Sequence, residues 1–530
     1  MVTNKERIAA KRILFMRYIT ILLFSLFYTC GINAQMSFPK AAAEDKEHIM
    51  SDAYWKIWND SIQHTIDRDI DANRKADAVV TLTDAAPGSD VKVKQLTHAF
   101  VFGANIFNFN QLGKKEYNDR YKDLFGTLFN SATIAFYWKV FEMQPNRPRF
   151  REEYWDTEEY WNKVQNPKEQ PHWRRPATDP VVAFCESKHI RLQGHTLVWG
   201  NRRWQHPEWI EKELMTPAER NKLDSLMKSH ASENNQSNDS FKDAYKKMTP
   251  AQLAAMFPDL AKKYQSIFDK RIEEIAAYYG DRLNSWDVVN ESATDFEKGY
   301  MIPGDALCKS GYGIMPGDYT YQGFRTAQAN FPANVKLNIN EYNMGQAYVN
   351  QVKDLTARGA RIDIMGSQMH LFNPQQCLDI AAGKEIQTPK QVWETMNRIS
   401  KAGIPIHLSE ITITSPDKDE RGLKIQAIIA QNLYRLWFSI KPMMGITWWN
   451  IVDDCGAPGE PSVSGLFNRD MTPKPSYYAL NNLINHDWKT NLDIKADASG
   501  KISFRGFKGK YLITWTDQSG RKQAKEYILN

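Results

Sequence analysis

Two acidic residues close stretches that otherwise read as buried strand. Glu291 ends "SWDVVNE" (285–291), directly after Asn290, and Glu410 lies inside "IPIHLSEITI" (404–413). His195, Tyr342, Gln368 and His370 sit at the ends of comparable apolar runs, with Trp199 and Trp449 close by in sequence. Two carboxylic acids brought to one cleft suit glycoside hydrolysis: one protonates the leaving oxygen, and the other attacks or activates water. The first must hold its proton near neutral pH, which takes desolvation or a nearby negative charge, while the second must be ionised and oriented by a donor. Trp286 and Trp449 offer apolar walls, His370 offers a donor to Glu410, and Asn290 offers an amide for a sugar 2-hydroxyl. An isolated Asn-Glu pair is commonly just a solvated turn. The elements that carry the acids therefore decide between the two readings.

Eight short apolar runs recur, mostly followed by helix-compatible stretches. They are residues 98–106, 132–138, 190–199, 283–291, 335–343, 362–370, 404–413 and 444–451. This alternation predicts an α/β fold closed as a (β/α)8 TIM barrel. No Gly-rich phosphate turn follows an early run, which argues against a dinucleotide-binding open sheet. Barrel enzymes work at the C-terminal strand ends, where the polar residues above fall. The fourth and seventh runs carry Glu291 and Glu410, and in a closed barrel their ends face one another across the mouth. Residues 140–179 and 205–262 exceed normal loop length, as cleft-shaping insertions do. The polar tract "SHASENNQSNDS" (229–240) reads as a surface excursion.

The flanks differ in kind. Residues 44–75 have helical spacing, and "AVVTLTD" (78–84) and "DVKVKQL" (90–96) around "AAPGS" predict a β-hairpin. Short alternating strands punctuated by Gly make a small β-rich appendage near the C-terminus, which that hairpin is placed to join. The expected division is a signal segment at 1–34, a helix and hairpin segment at 35–97, the barrel at 98–488 and the β region at 489–530. Lys5, Arg7, Lys11, Arg12 and Arg17 precede the apolar run ending at Ala34, an export pattern too short for a spanning helix. Met16 is an alternative start. Cys30 suggests a lipoprotein site, but Phe27-Tyr28-Thr29 before it suits one poorly.

The chain has 530 residues, 42% hydrophobic and 25% charged, an ordinary globular balance, while 16 Trp and 23 Tyr favour sugar stacking sites beside their core roles. Five of the 68 cations and one of the 62 anions lie in residues 1–34, so the remainder carries a net charge near +2. No clustered basic face points to nucleic acid. Cys185, Cys308, Cys377 and Cys455 lack metal-ligand spacing, and an oxidising compartment would allow one or two disulfides among them. No metal, cofactor or obligate protein partner is implied.

"GHTLVW" (194–199), "WDVVNE" (286–291), "GSQMHL" (366–371), "GIPIHLSEI" (403–411) and "LFNRDMTPKPSYYAL" (466–480) occur in the order of one family. Over roughly residues 98–486 the chain resembles the glycoside hydrolase family 10 endo-β-1,4-xylanases. The resemblance implies a retaining mechanism on xylan through a covalent glycosyl-enzyme, with carboxyl groups about 5–5.5 Å apart. It makes Glu291 the general acid/base and Glu410 the nucleophile. Asn290, Gln368 and His370 would surround the sugar at the cleavage point. Lys139, His195, Trp199 and Trp449 would line the glycone side, with Tyr342 near the catalytic centre.

The chain also departs from the family pattern. A Glu-Asn pair usual before the second-strand Lys is missing from Ala135-Phe136-Tyr137-Trp138-Lys139. Gly200, Asn201 and Arg202 follow Trp199 where the family has His and Gln. Thr412 replaces the acid expected two residues after the nucleophile. "CGAPGEPSVSG" (455–465) stands where a second cleft tryptophan is expected. A decorated xylan is one consequence, with Arg202 facing a uronic acid or the 140–179 insertion holding a branch. Arg202 as a surface ion-pair partner is the equal alternative. A related β-glycanase and a non-catalytic carbohydrate-binding barrel are the remaining readings.

Overall fold

Helices Asp52–Ile57 and Asp60–Arg74 are each N-capped by a side chain, Ser51 accepting from the Tyr54 amide and Asn59 from the Ile62 amide. Strands β1 (Lys75–Thr81) and β2 (Asp90–His98) follow, and the chain then enters the barrel. The structure is a computed structural model that describes residues 36–231, 248–311 and 313–530. The expected export segment, Cys30 included, and most of the 229–240 tract lie outside the described residues.

The barrel begins with β3 (Val101–Asn105), β4 (Ser131–Ala135), β5 (Arg191–Trp199) and β6 (Ser285–Asn290). A small antiparallel pair, β7 (Leu307–Ser310) and β8 (Gly313–Pro316), then leaves it. The circle resumes with β9 (Lys336–Glu341), β10 (Ile364–Leu371), β11 (Ile406–Ile413) and β12 (Met443–Trp448), and β12 pairs with β3 to close it. All eight expected strands are present, each paired parallel with its neighbours. Nearly every barrel strand residue is buried. That follows from packing on both faces, side chains filling the inside and helices covering the outside. The ends carrying Glu291 and Glu410 are three strands apart, through β9 and β10, so they are not diametrically opposed as the sequence suggested.

Helix Glu420–Ser439 illustrates the cover. It is buried almost all round because the N-terminal helix Asp60–Arg74 lies over its outer face. Gln63 Nε2 donates to Asn432 (3.3 Å) and Arg435 donates to Asp67 (2.8 Å), so the polar groups under that cover are paired.

The expected hairpin does not form. β1 pairs antiparallel with β14 (Lys501–Phe507), while β2 lies between β13 (Asn491–Lys495) and β15 (Gly509–Thr516), with β16 (Lys522–Leu529) beyond. Both strands alternate, and their apolar faces (Ala78 and Val80, Val91 and Val93) meet Ile502, Tyr511, Ile513 and Trp515 in one small core. Face-to-face burial across two ladders covers more apolar surface than edge pairing of β1 with β2 would. The segments before and after the barrel thus form one β unit. Cys185, Cys308, Cys377 and Cys455 are all buried and unpaired.

Candidate active site

Glu291 is aimed by the packing of its own strand. Trp286, fully buried in β6, lies against Gly194 of β5, where a Cβ atom would stand 2.2 Å from the indole, and its ring centroid is 4.6 Å from that of Phe136. Burying an indole of this kind contributes about 4–6 kcal/mol at ~25 cal/mol per Å². Trp286 is therefore barrel core, not the cleft wall expected of it. Beyond β6, Glu291 takes φ +55°, a left-handed conformation uncommon outside Gly, and its amide donates to the Asn340 carbonyl (2.8 Å). The strand stops there and the carboxyl is left at the cleft floor.

The two acids have different company. Trp199 Nε1 and Gln368 Nε2 donate to opposite oxygens of Glu291, at 3.2 and 3.1 Å. Loss of water, then the charge of Glu410, pushes the Glu291 carboxyl up to about 8, against the Gln368 donor. Glu410 is buried in β11 beside Gln368 of β10, its partner in the ladder. Asn340 Nδ2 donates to its Oε1 at 2.7 Å; His370 Nε2 lies 3.4 Å from Oε2 and His195 Nε2 lies 3.9 Å from Oε1.

Asn340 joins the two halves. Its carbonyl holds the Glu291 backbone, its amide nitrogen reaches both Glu410 and Asn290 Oδ1 (2.8 Å), and Ser409 Oγ donates to its Oδ1. Asn290 Nδ2 has no hydrogen bond among the described residues, leaving a donor for a ligand hydroxyl. Thr412, in place of the acid, still partners His370: its Oγ1 lies 2.9 Å from Nδ1. His195 Nδ1 meets Asp287 Oδ2 at 2.8 Å; burial opposes its charge, yet the Asp287 hydrogen bond and Glu410 leave its affinity for a proton raised. Beneath them Glu341 accepts from the amides of Ala293, Tyr342 and Asn343, and burial still lifts it to about 7.

An open cleft of about 680 Å³ lies over this floor, and His195, Trp199, Asn290, Glu291, Gln368, His370, Glu410 and Trp449 all line it. Lys139 and Tyr342 are not among its lining residues. Lys139 sits on the short helix Trp138–Phe141 and pairs with Glu208 at 3.3 Å; Tyr342 is 48% exposed. Arg202 pairs with Glu211 and lines a separate cavity with His206 and Tyr264.

Other lining residues were not among the expected site residues, although several lie in segments marked in the sequence. Tyr137 follows β4, Arg174 and Arg175 come from the 140–179 insertion, and Trp204 follows Trp199 closely. Phe372 stacks on His370 with centroids 4.4 Å apart, and Glu460 occupies the loop expected to carry tryptophan. The Arg-rich composition of the insertion was the one sequence signal for Arg174 and Arg175. Among the described residues no group of three or more His, Cys, Asp or Glu is placed to hold a metal ion.

The model of glycosyl hydrolase family 10 matches residues 95–483, well over half of the chain. The chain belongs to that family. Among relatives of this family 10 chain, endo-1,4-beta-xylanase C of Paenibacillus barcinonensis is 24% identical over 459 residues, covering 80% of this chain and 34% of the relative. Endo-1,4-beta-xylanase A of Thermotoga maritima is 25% identical over 326 residues, covering 58% and 25%. The anti-sigma-I factor RsgI6 of Acetivibrio thermocellus is 23% identical over 352 residues, covering 66% and 36%. The chain spans about a third or less of the length of these curated relatives. Native xylanase 10B from Thermotoga maritima is a structural neighbour with a TM-score of 0.48 and 19% identity, covering 73% of this chain and 96% of that one.

Proposed function

We propose that the chain hydrolyses internal β-1,4 bonds of xylan, decorated xylan included, with retention of configuration. One observation carries this reading: two carboxyl groups share a cleft, and one is pushed up to about 8 while the other is met by an amide donor and a histidine. Glu291 is the acid/base and Glu410 the nucleophile. Family membership and the relatives named as xylanases support the substrate. Export, supported by the basic and apolar first 34 residues, suits a polymer outside the cell.

The chemistry follows from the surroundings. Protonated Glu291 gives its proton to the glycosidic oxygen as Glu410 Oε2 or Oε1 attacks the anomeric carbon. Asn340 and the two histidines orient that carboxylate, while the free Asn290 amide binds the 2-hydroxyl, a contact that strengthens in the transition state. Once Glu410 is esterified its negative charge is gone. The repulsion holding the Glu291 proton then falls, and Glu291 becomes the base that activates water. One group thus serves both steps.

The test is Glu410→Ala assayed on xylan and on an aryl β-xyloside with added azide. Loss of xylan cleavage, with azide restoring turnover as an α-xylosyl azide, is the expected result. Retained cleavage of xylan by Glu410→Ala would sink the nucleophile assignment. Mass spectrometry of the wild-type products checks that internal bonds are cut.

A further inference from the structure

The wall of the cleft beside Tyr137 holds more positive charge than its own acids balance. Arg175 is 8% exposed, and its guanidinium stacks on the Tyr137 ring at 3.7 Å. Its Nη1 donates to the Arg174 carbonyl at 2.8 Å, and among the described residues no acid lies within ion-pair distance of it. Arg174, 3% exposed, donates to Asn450 Oδ1 at 2.8 Å and lies 3.8 Å from Glu460, while its Nε is buried without a hydrogen-bond partner. Glu460 is already met by Asn450, the Ala457 amide and Trp449. Two guanidinium groups therefore share one engaged carboxylate, and a charge taken out of water without a counter-ion is costly.

The charge is also held in place. Arg174 has φ +61° and its amide donates to Gln111 Oε1. The Arg175 carbonyl accepts from Arg149, which is itself fixed by a buried pair with Asp156. Tyr137 in turn abuts His195 and Trp199, with ring centroids 5.3 and 5.9 Å away, and Trp199 donates to Glu291. Arg175 thus stands one ring layer from the reacting floor. Burial pulls it down to about 10, which leaves it charged at neutral pH.

We propose that Arg175, backed by Arg174, binds the carboxylate of a uronic acid carried by the β-glycan in the cleft. The proposal rests on the glycanase reading and adds to it the class of substituent. A planar carboxylate matches the guanidinium fork and supplies the counter-ion that the fold leaves out. Arg202, paired with Glu211 away from the cleft, does not take this part.

The test uses the full chain carrying Glu410→Ala, so that oligosaccharides stay intact. Calorimetry compares a uronic-acid-branched xylo-oligosaccharide with the same compound after carboxyl reduction. The acid form is expected to bind at least about 10-fold tighter, a preference that shrinks at high salt. Adding Arg175→Gln is expected to bring the two within about twofold, with Arg175→Lys between. Equal affinity of the two compounds, or a preference that survives Arg175→Gln, overturns the site. So does equally tight binding of a sulfate ester in place of the uronate. Carboxyl reduction alters only the ligand, so the answer does not depend on how well a variant folds. Wild-type cleavage of unbranched xylan separates the two readings. Acid-selective binding without any cleavage fails the enzymatic reading, and cleavage without acid selectivity fails this one.

Discussion

Glu291 and Glu410 are the same residue on the same rim, and the barrel treats them oppositely. Glu291 stands past the end of β6 in a left-handed conformation, on a floor short of water, facing the charge of its partner. Glu410 lies within β11, where the ladder fixes its backbone and Asn340, His195 and His370 surround its oxygens. A strand interior grips a side chain; a strand end frees it to change partners. In the proposed mechanism the residue that shuttles a proton twice is at the end, and the one that strikes a fixed carbon is inside.

The largest break in this pairing is Glu410→Ala, with a loss of more than about 10⁴-fold in kcat on xylan, because the other groups cannot substitute for the missing nucleophile. Glu291→Ala costs about 10²–10⁴-fold on xylan. An aryl glycoside with a good leaving group needs little protonation, so its first step should be nearly spared in Glu291→Ala, visible as a burst of released phenol followed by a slow phase. A similar loss on both substrates would mean that Glu291 is not the acid. Asn340→Ala removes the side-chain donor to Glu410 and Asn290 while its backbone contact with Glu291 is kept, and a displaced nucleophile should lower kcat by about 10²-fold with a smaller change in KM.

Those two acids and the strands behind them were legible because each polar residue interrupts an apolar run at its C-terminal side. Eight such runs predict the barrel, since parallel strands are buried on both faces and lose the alternation that a flanking sheet keeps. The alternating pattern of β1 and β2 showed strands truly but not their partners, which lie some 400 residues away in β13, β14 and β15. Lys139 and Arg202 were named from position relative to a motif, whereas short helices after β4 and β5 carry them to Glu208 and Glu211. Arg174 and Arg175 were legible only as part of an Arg-rich, cleft-shaping insertion, not as individual cleft residues. What brings them to the cleft is a left-handed residue and a buried Arg149–Asp156 pair inside an insertion with no period.

The charge coupling between the acids has its own signature. The folded protein keeps the Glu291 proton above 4.5, the ordinary value at which the unfolded chain releases it, up to about 8. In that window the native state binds more protons, so stability declines as pH rises from about 4.5 to about 8. Glu410→Gln removes the repelling charge and should shrink that decline in denaturant titrations at pH 5 and pH 8. An unchanged decline would mean that desolvation alone raises Glu291.

The finest test turns on one hydrogen bond. Gln368 Nε2 donates to Glu291 Oε1 at 3.1 Å and favours the ionised form, pulling against burial and Glu410. In Gln368→Met the donor is gone while much of the volume stays, so the proton is held more tightly. The alkaline limb of kcat/KM, which reports loss of that proton in the free enzyme, should move to higher pH by less than about one unit, the scale of a single hydrogen bond. Activity at the optimum also drops, because Gln368 lines the cleft, but the limb's position does not depend on its height. A limb that moves to lower pH would show that Gln368 accepts from a protonated Glu291 instead, and the amide would then have to be turned over.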